Sequence, residues 1–138
     1  MATKIFVNLP VNDLNRSKEF FTKIGFTINP QFTDETAASV VITEDIYAML
    51  LTHKKFKEFT KKEIADATKT TEVITCLSFE SKGQVNELID KALNAGAIET
   101  REPMDYGFMY GRSFNDLDGH IWEIIWMDPS AMNQDAQK

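Results

Sequence analysis

The chain has 138 residues, 43% of them hydrophobic and 26% charged, with a formal net charge of −6. An acidic chain without a basic stripe repels a phosphate backbone, so we expect no nucleic-acid partner. No run approaches the about eighteen apolar residues of a membrane span, so we expect no membrane partner. Cys76 is the only cysteine, which rules out an internal disulfide and favours a cytoplasmic location.

The first half of the chain opens with a strand, a capped helix and a second strand. Residues Ile5 to Val11 are rich in β-forming side chains. Asp13 is suited to accept hydrogen bonds from the free amides of a helix start. Gly25 is suited to end that helix in a left-handed conformation, and Phe26 to Ile28 begin the next strand.

Two further strands and a connection complete the first half. Strands are predicted from Ala38 to Ile42 and from Ile46 to Thr52, joined by a turn at Glu44-Asp45. The segment from Lys54 to Ala67 carries apolar residues along one side at helical spacing. It therefore predicts a helix between the two halves.

The second half repeats this order. Val73 to Phe79 is a strand signal, and Ser81 with Gln84 forms a capping box for a helix that ends at Gly96. Shorter strand signals follow. The last two predicted strands, Met109 to Phe114 and His120 to Met127, are joined by a loop with the hairpin dipeptide Asp118-Gly119.

The repeat has a period of roughly 70 residues and predicts the fold. We expect an α+β protein in which two tandem βαβββ modules form a curved mixed sheet around a central pocket. The chain is then a single domain. Its parts are a first module at about 1–56, a connection at about 57–71, a second module at about 72–128 and a polar tail at 129–138.

Two blocks of the sequence resemble the vicinal oxygen chelate superfamily, which holds glyoxalase I, extradiol dioxygenases and bleomycin-resistance proteins. The blocks are Leu9–Leu14 with Ser17, Phe20-Phe21 and Gly25-Phe26, and then Ala95-Gly96-Ala97 with Asp116–Ile124. The usual terminal signature is Asp-Pro-Asp-Gly-x-x-x-Glu, and Leu117 replaces its proline. The resemblance implies a glyoxalase-like fold more strongly than it implies a reaction.

The metalloenzymes of that superfamily hold a divalent ion with one side chain from each of four strands. The resemblance places those positions at Phe6, Leu50, Ile74 and Glu123. Only Glu123 carries a donor atom that a divalent ion accepts. A register shift of one residue puts Val7, Leu51 and Thr75 at the other three positions and helps little. We therefore expect no metal and no other cofactor.

The two histidines do not alter this expectation. His53 follows a strand end beside lysines, and His120 adjoins the hairpin loop on the face opposite Glu123. Each is interpreted as a surface or turn residue. Cys76 is interpreted as a small apolar residue of the inner face because no base or cation is apparent near it.

Strand alternation predicts which side chains face the pocket. The predicted lining is apolar with a few polar groups, and its members are Phe6, Asn8, Leu50, Thr52, Ile74, Cys76, Ser78 and Glu123. Such a lining suits a small apolar or aromatic ligand.

The last hairpin adds to this lining. If residues whose numbers sum to 235 face each other across it, Arg112 opposes Glu123 and Tyr110 shares their face. Arg112 is then either a structural partner of Glu123 or an anchor for an anionic ligand group. The loop from Met104 to Tyr110, with Tyr106, is either a rim over the pocket or a cover of the core.

Three functions remain open from the sequence, so enzyme activity is not decided. The first is metal-independent binding of a small molecule held between the modules, as in the bleomycin-resistance branch. The second is a metal-dependent lyase or dioxygenase of the glyoxalase type. The third is a metal-free lyase or isomerase with Glu123 as the base, the only candidate catalytic residue. The expected partners are a small-molecule ligand and, as the resemblance implies, a second copy in a homodimer.

Overall fold

The computed structural model describes residues 3–131 and has an α+β fold with two mixed β-sheets. The chain divides into two compact units between Asp66 and Ala67. Residues 132–138, which include most of the predicted polar tail, lie outside the described part of the chain. Within residues 3–131, no helix is long and apolar enough to cross a membrane.

The first unit is a four-stranded sheet with one long helix. Strand order is β1-β4-β3-β2, with β1 parallel to β4 and the other neighbours antiparallel. The elements are β1 (Ile5–Val11), α1 (Leu14–Lys23), β2 (Thr27–Asn29), a short 3-10 helix (Pro30–Phe32), β3 (Ala37–Val41), β4 (Ile46–Thr52) and α2 (His53–Phe56).

Helix α1 begins and ends where the sequence predicts. The Asp13 side chain accepts a hydrogen bond from the Arg16 amide at 3.1 Å, and Gly25 follows the helix with φ +113°. The buried helix residues Leu14, Phe20 and Phe21 pack against one face of the sheet. We call this the helix-packed face of the first sheet and the other its open face.

The predicted helix from Lys54 to Ala67 is wrong, because only His53–Phe56 is helical. The apolar side chains of that segment do not form a buried stripe, and Phe59 is 70% exposed. A helix without a face to bury is marginal in water. The Thr60 hydroxyl accepts a hydrogen bond from the Lys62 amide at 3.1 Å, a local turn that competes with the helix.

The second unit has the same plan with one extra hairpin. Strand order is β5-β9-β8-β6, and β7 also pairs with β8. The elements are β5 (Ile74–Phe79), α3 (Lys82–Asn94), β6 (Ile98–Glu99), β7 (Met104–Asp105), β8 (Met109–Asn115) and β9 (Ile121–Met127). The Ser81 cap of α3 is confirmed, because the Gln84 backbone amide donates to Ser81 Oγ. The Gln84 side chain accepts from the Glu80 amide, one residue before the cap, and not from the Ser81 amide that a capping box requires.

The connection between β8 and β9 has five residues, and its length sets which side chains share a face. Asn115 pairs with Ile121, so residues whose numbers sum to 236 face each other. The prediction of 235 is wrong by one residue, which turns one strand over relative to the other. Phe114, Trp122 and Ile124 face α3 and are buried. They define the helix-packed face of the second sheet, and Glu123 lies on its open face.

Candidate functional site

The open face of the first sheet carries two of the predicted lining residues. Phe6 and Asn8 pair with Tyr47 and Met49 across the parallel strands β1 and β4. Phe6 is 51% exposed, while Tyr47 and Met49 are half-buried. These side chains therefore form one continuous, accessible surface.

Leu50 and Thr52 do not belong to this surface. Leu50 pairs with Leu9 on the helix-packed face and is fully buried. Thr52 pairs with Val11 on the same side, and its hydroxyl accepts from the Lys55 amide at the start of α2. The prediction that they line a pocket with Phe6 is wrong. Their place on the open face is taken by Tyr47, Met49 and Leu51.

A cleft of about 450 Å³ lies on the open face of the first sheet. Its aromatic wall is formed by Phe6 and Tyr47, whose rings stack with centroids 4.7 Å apart and an interplanar angle of 8°. The remaining lining is largely apolar, with few polar groups. Its members are Lys4, Asn29, Phe32, Ser39 and Met49.

The one cation in the lining of this cleft is neutralised at its rim. Lys4 Nζ lies 3.1 Å from an Asp45 carboxylate oxygen and 5.9 Å from the centroid of the Tyr47 ring. The hydrogen bond to Asp45 raises the pKa of Lys4. The cleft therefore presents aromatic and aliphatic surface with no unpaired charge.

The open face of the second sheet carries Glu123 in a polar row. Ser113 of β8 and Cys76 of β5 both pair with Glu123 of β9, so the three side chains lie side by side on adjacent strands. We call them the Ser113–Glu123–Cys76 row. Ile74, predicted as a lining residue, lies on the same face and is 51% exposed.

Glu123 is paired with Arg101 and not with Arg112. Arg101 Nη2 lies 2.8 Å from Glu123 Oε2. Sequence reasoning missed Arg101 because it lies in an irregular segment between β6 and β7, where no periodicity places a side chain.

Desolvation, and secondarily the charge of Glu123, raises the pKa of the Cys76 thiol. A thiol of raised pKa is a poor nucleophile at neutral pH.

Ser113 stands out because its hydroxyl is buried without a partner. The residue has no exposed surface, and within residues 3–131 its Oγ is the only buried side-chain nitrogen or oxygen without a hydrogen bond. Buried polar groups are paired in the great majority of cases. An unpaired hydroxyl beside a carboxylate is therefore a candidate ligand contact.

Arg112 and Tyr110 lie on the helix-packed face, which corrects their predicted place beside Glu123. Arg112 pairs in register with Ile124, and its guanidinium binds Glu99 at 2.9 Å and Asp90 at 3.2 Å. Tyr110 donates its hydroxyl to Asn86 on α3 at 2.7 Å. The hydrogen bond to Glu99 raises the pKa of Arg112. The network ties α3 to the sheet, so its role is structural.

The loop predicted from Met104 to Tyr110 is a β-hairpin. β7 pairs with β8, and Gly107 at the tip has φ +80°. Tyr106 and Phe108 are 60% and 51% exposed, and their rings stack at 6.3 Å. Since both rings face solvent, the hairpin does not cover the core of its unit.

The loop between β8 and β9 is held in place by hydrogen bonds to a buried carboxylate. Asp116 is buried and accepts hydrogen bonds from the amides of Asp118 and His120 and from the Trp122 indole, all at 3.0 Å. His120 is 3% exposed and lies 3.0 Å from Glu72, so its predicted surface position is wrong although it lies in the turn. Burial raises the pKa of Asp116, and His120 opposes the shift.

The residues at the four superfamily metal positions do not fit a divalent ion. Phe6 and Ile74 offer no donor, Leu50 is buried on the helix-packed face, and Glu123 already binds Arg101. The row supplies a hydroxyl and a thiol of raised pKa, which are weak ligands. Within the described residues, no three His, Cys, Asp or Glu side chains come together to hold an ion.

Comparisons with known proteins agree with this architecture. Residues 3–43 match the bleomycin resistance protein-like N-terminal family. The hypothetical protein SA1046 of S. aureus is 30% identical, with a TM-score of 0.75 over 91% of this chain and 95% of that one. No curated protein matches the chain.

More distant structures share the fold. An enzyme of the glyoxalase/bleomycin resistance protein/dioxygenase family from Burkholderia phytofirmans is 16% identical, with a TM-score of 0.74 over 91% of this chain and 99% of that one. The fosfomycin resistance protein FosX of Mesorhizobium loti is 12% identical, with a TM-score of 0.68 over 96% and 98%. Residues 3–43 are therefore similar to the bleomycin resistance protein-like N-terminal family, and the chain as a whole has the fold of the glyoxalase/bleomycin resistance protein/dioxygenase structures.

Proposed function

We propose that this protein binds a small apolar or aromatic molecule without a metal ion, on the open face of its first sheet. The observation that carries the proposal is the cleft of about 450 Å³ with the stacked rings of Phe6 and Tyr47 on its wall. Small-molecule sites typically measure about 300 to 1,000 Å³ and are lined mainly by apolar and aromatic side chains.

Exposure of the aromatic wall supports this function. Phe6 is 51% exposed and Phe32, on the same cleft, is 63% exposed. Contact with an apolar ligand removes such surface from water, which is favourable by about 25 cal/mol per Å². A ring that stacks beside the Phe6–Tyr47 pair gains a further aromatic contact. The cleft therefore favours a flat ring over a flexible chain.

The charge of the cleft supports a neutral ligand. Lys4 is held by Asp45, and the other lining side chains are uncharged. An anion would have to compete with Asp45 for the ammonium group, and a cation would meet no carboxylate that is free of a partner. The metal-free part of the proposal is supported by the apolar residues at three of the four superfamily metal positions, Phe6, Leu50 and Ile74.

The test is titration with N-phenyl-1-naphthylamine, a neutral aromatic probe whose fluorescence rises in an apolar site. The full-length protein, stripped of metal by a chelator, is expected to bind it. Phe6→Ala should weaken binding by about 5- to 10-fold, because the aromatic wall loses one ring. Tyr47 remains in that variant.

Phe59→Ala is the matched control. Phe59 is also in the first unit and is 70% exposed, but it does not line the cleft. This variant should bind the probe as the parent protein does. Equal losses in both variants would show that the probe adheres to exposed rings in general. Probe binding that appears only after a divalent metal is added would contradict the metal-free proposal.

A further inference from the structure

The open face of the second sheet presents two adjacent hydrogen-bonding groups with unused capacity. Ser113 and Glu123 are directly paired across antiparallel β8 and β9. Directly opposed side chains have Cβ atoms about 5 Å apart, so one small ligand group can touch both. Because β8 and β9 belong to one sheet, this spacing is fixed by the backbone.

Each of the two groups lacks a partner at a defined atom. Ser113 Oγ is buried and has none within residues 3–131. Glu123 uses Oε2 for Arg101, and within the same residues Oε1 accepts no hydrogen bond. A hydroxyl can donate or accept, whereas a carboxylate only accepts. The pair is therefore complementary to a group that offers one N–H and one carbonyl oxygen.

The charges of Glu123 and Arg101 determine which ligand group fits best. The carboxylate of Glu123 is balanced by the guanidinium of Arg101 at 2.8 Å, so the pair has no net charge. A carboxylate ligand would meet the charge of Glu123, and an amidinium ligand would compete with Arg101. A neutral carboxamide satisfies both free atoms and disturbs neither charge.

The surroundings suit an apolar body attached to that group. Ile74 and Ile121 are paired on the same face beside the row, and Ile125 lies two residues from Glu123. Ile74 is 51% exposed. These side chains can cover a ring or a short aliphatic group while its polar end reaches the row.

We propose that Glu123 and Ser113 form a subsite for the neutral carboxamide of a small apolar molecule. Glu123 Oε1 accepts the ligand N–H, and the Ser113 hydroxyl donates to the ligand carbonyl. The subsite occupies the one superfamily metal position at which this chain keeps a carboxylate. It goes beyond the proposed function, because it lies on the second sheet and requires different residues from the cleft.

Ser113 has no exposed surface, so a ligand reaches its hydroxyl only when neighbouring side chains move. Met109 is on the same face, and its Cε lies 3.9 Å from the Cβ position of Gly111, the neighbour of Ser113 on that face. Methionine is unbranched and changes rotamer readily. A change of the Met109 rotamer would therefore alter the surface beside Gly111 without movement of the backbone.

The test compares benzamide, benzoate and benzamidinium, which have nearly the same shape and differ in charge. Dissociation constants are measured on the full-length protein by ligand-observed NMR titration. Benzamide should bind about 10-fold more tightly than either ion, and Ser113→Ala should weaken benzamide by about 5-fold. Ser130→Ala is the matched control, since Ser130 is an exposed serine of the second unit that lies outside the strands of the open face.

Thermal melting separates a lost contact from a lost fold. Ser113→Ala removes a hydroxyl that has no partner, so its melting temperature should equal or exceed that of the parent protein. The proposal is overturned if benzoate or benzamidinium binds most tightly, if the two serine variants bind benzamide equally, or if benzamide fails to bind at about 10 mM. The naphthylamine titration of Phe6→Ala tests binding on the first sheet only, and the benzamide titration tests the second sheet. Either proposal can therefore fail without the other.

Discussion

The open faces of the two sheets have the same backbone plan and different chemistry. In each unit the first and last strands pair in parallel, β1 with β4 and β5 with β9. At one such pair the first sheet places the stacked rings of Phe6 and Tyr47. Across the parallel strands β5 and β9, the second sheet places Cys76 beside Glu123. The repeated unit therefore fixes where side chains lie, while the side chains of each half determine the chemistry of its open face.

The loops that precede the last strands also differ between the units. The connection from β3 to β4 is short and its central residues Thr43 and Glu44 are exposed. The connection from β8 to β9 is buried around Asp116 and His120. Because this second loop sets the pairing of Ser113 with Glu123, the polar row depends on it. Substitutions in the second unit should separate the roles of its two faces.

The largest effect is expected from Gly119→Ala. Gly119 has φ +88°, and a Cβ there would lie 2.7 Å from the backbone C and O of Ala67. Left-handed strain and this clash together should lower the free energy of unfolding by about 3 kcal/mol. Urea denaturation followed by circular dichroism measures it.

Gly107→Ala is the control for the left-handed strain alone. Gly107 has φ +80°, but nothing lies within 4 Å of its Cβ position. We expect a cost of about 1 kcal/mol. If the two variants lose equal stability, the close approach of the loop to Ala67 has no energetic importance.

A smaller effect is expected from Arg112→Ala. This variant removes hydrogen bonds to Glu99, Asp90 and Asn86 on the helix-packed face. It should cost about 2 kcal/mol in the free energy of unfolding, because these bonds are charge-assisted and partly buried. Arg101→Ala removes one bond at a 39% exposed side chain and should cost about 0.5 kcal/mol.

Ligand binding should show the reverse order for these two arginines. Arg101 contacts Glu123 on the open face, so Arg101→Ala should change benzamide affinity while Arg112→Ala leaves it unaltered. An Arg112→Ala protein that folds but loses benzamide binding would contradict the assignment of Arg112 to the structural face.

The smallest effect is a pH dependence from Asp116. Burial raises the pKa of this carboxyl above 3.8, so the folded protein holds its proton more tightly than the unfolded chain. Its contribution to stability is therefore greatest at low pH and falls as the pH rises from about 4 through the folded pKa.

The measurement is the free energy of unfolding of the parent protein minus that of Asp116→Asn, between about pH 4 and pH 7. The difference should decrease with rising pH, because only the parent carries the carboxyl. An increase would mean that the hydrogen bonds from Trp122 and the loop amides outweigh burial.

Much of the fold could be predicted because its signals are local. Asp13, Ser81 and the two helix-ending glycines act within one turn of a helix, and each does what the sequence predicts. The helix from Lys54 failed for the opposite reason. Its apolar residues had the right spacing, but no surface of the fold buries Phe59.

The site was harder to predict because the side of the sheet on which a side chain lies depends on how its strand pairs with the neighbouring strands. In β4, all residues from Ile46 to Leu51 are apolar or aromatic, so alternation does not reveal which side is buried. The parallel partner β1 decides this, and it put Leu50 on the helix-packed face. In β8 and β9, one extra loop residue moved Arg112 away from Glu123.

Arg101 and Ser113 could not be found from the sequence at all. Arg101 lies outside the strands, and its contact with Glu123 joins residues 22 positions apart. Ser113 is an ordinary strand serine until its burial and lack of a partner are known. Both properties arise from tertiary packing, which no local pattern encodes.

The most direct test of metal-free binding on the first sheet is an amide NMR titration of chelator-treated protein with N-phenyl-1-naphthylamine. Under metal-free binding on the first sheet, the amide resonances of Phe6, Tyr47 and Met49 should shift as the probe is added, with no divalent metal present. Shifts confined to other parts of the chain, or shifts that begin only when Mn, Ni, Zn or Fe is supplied, would contradict it.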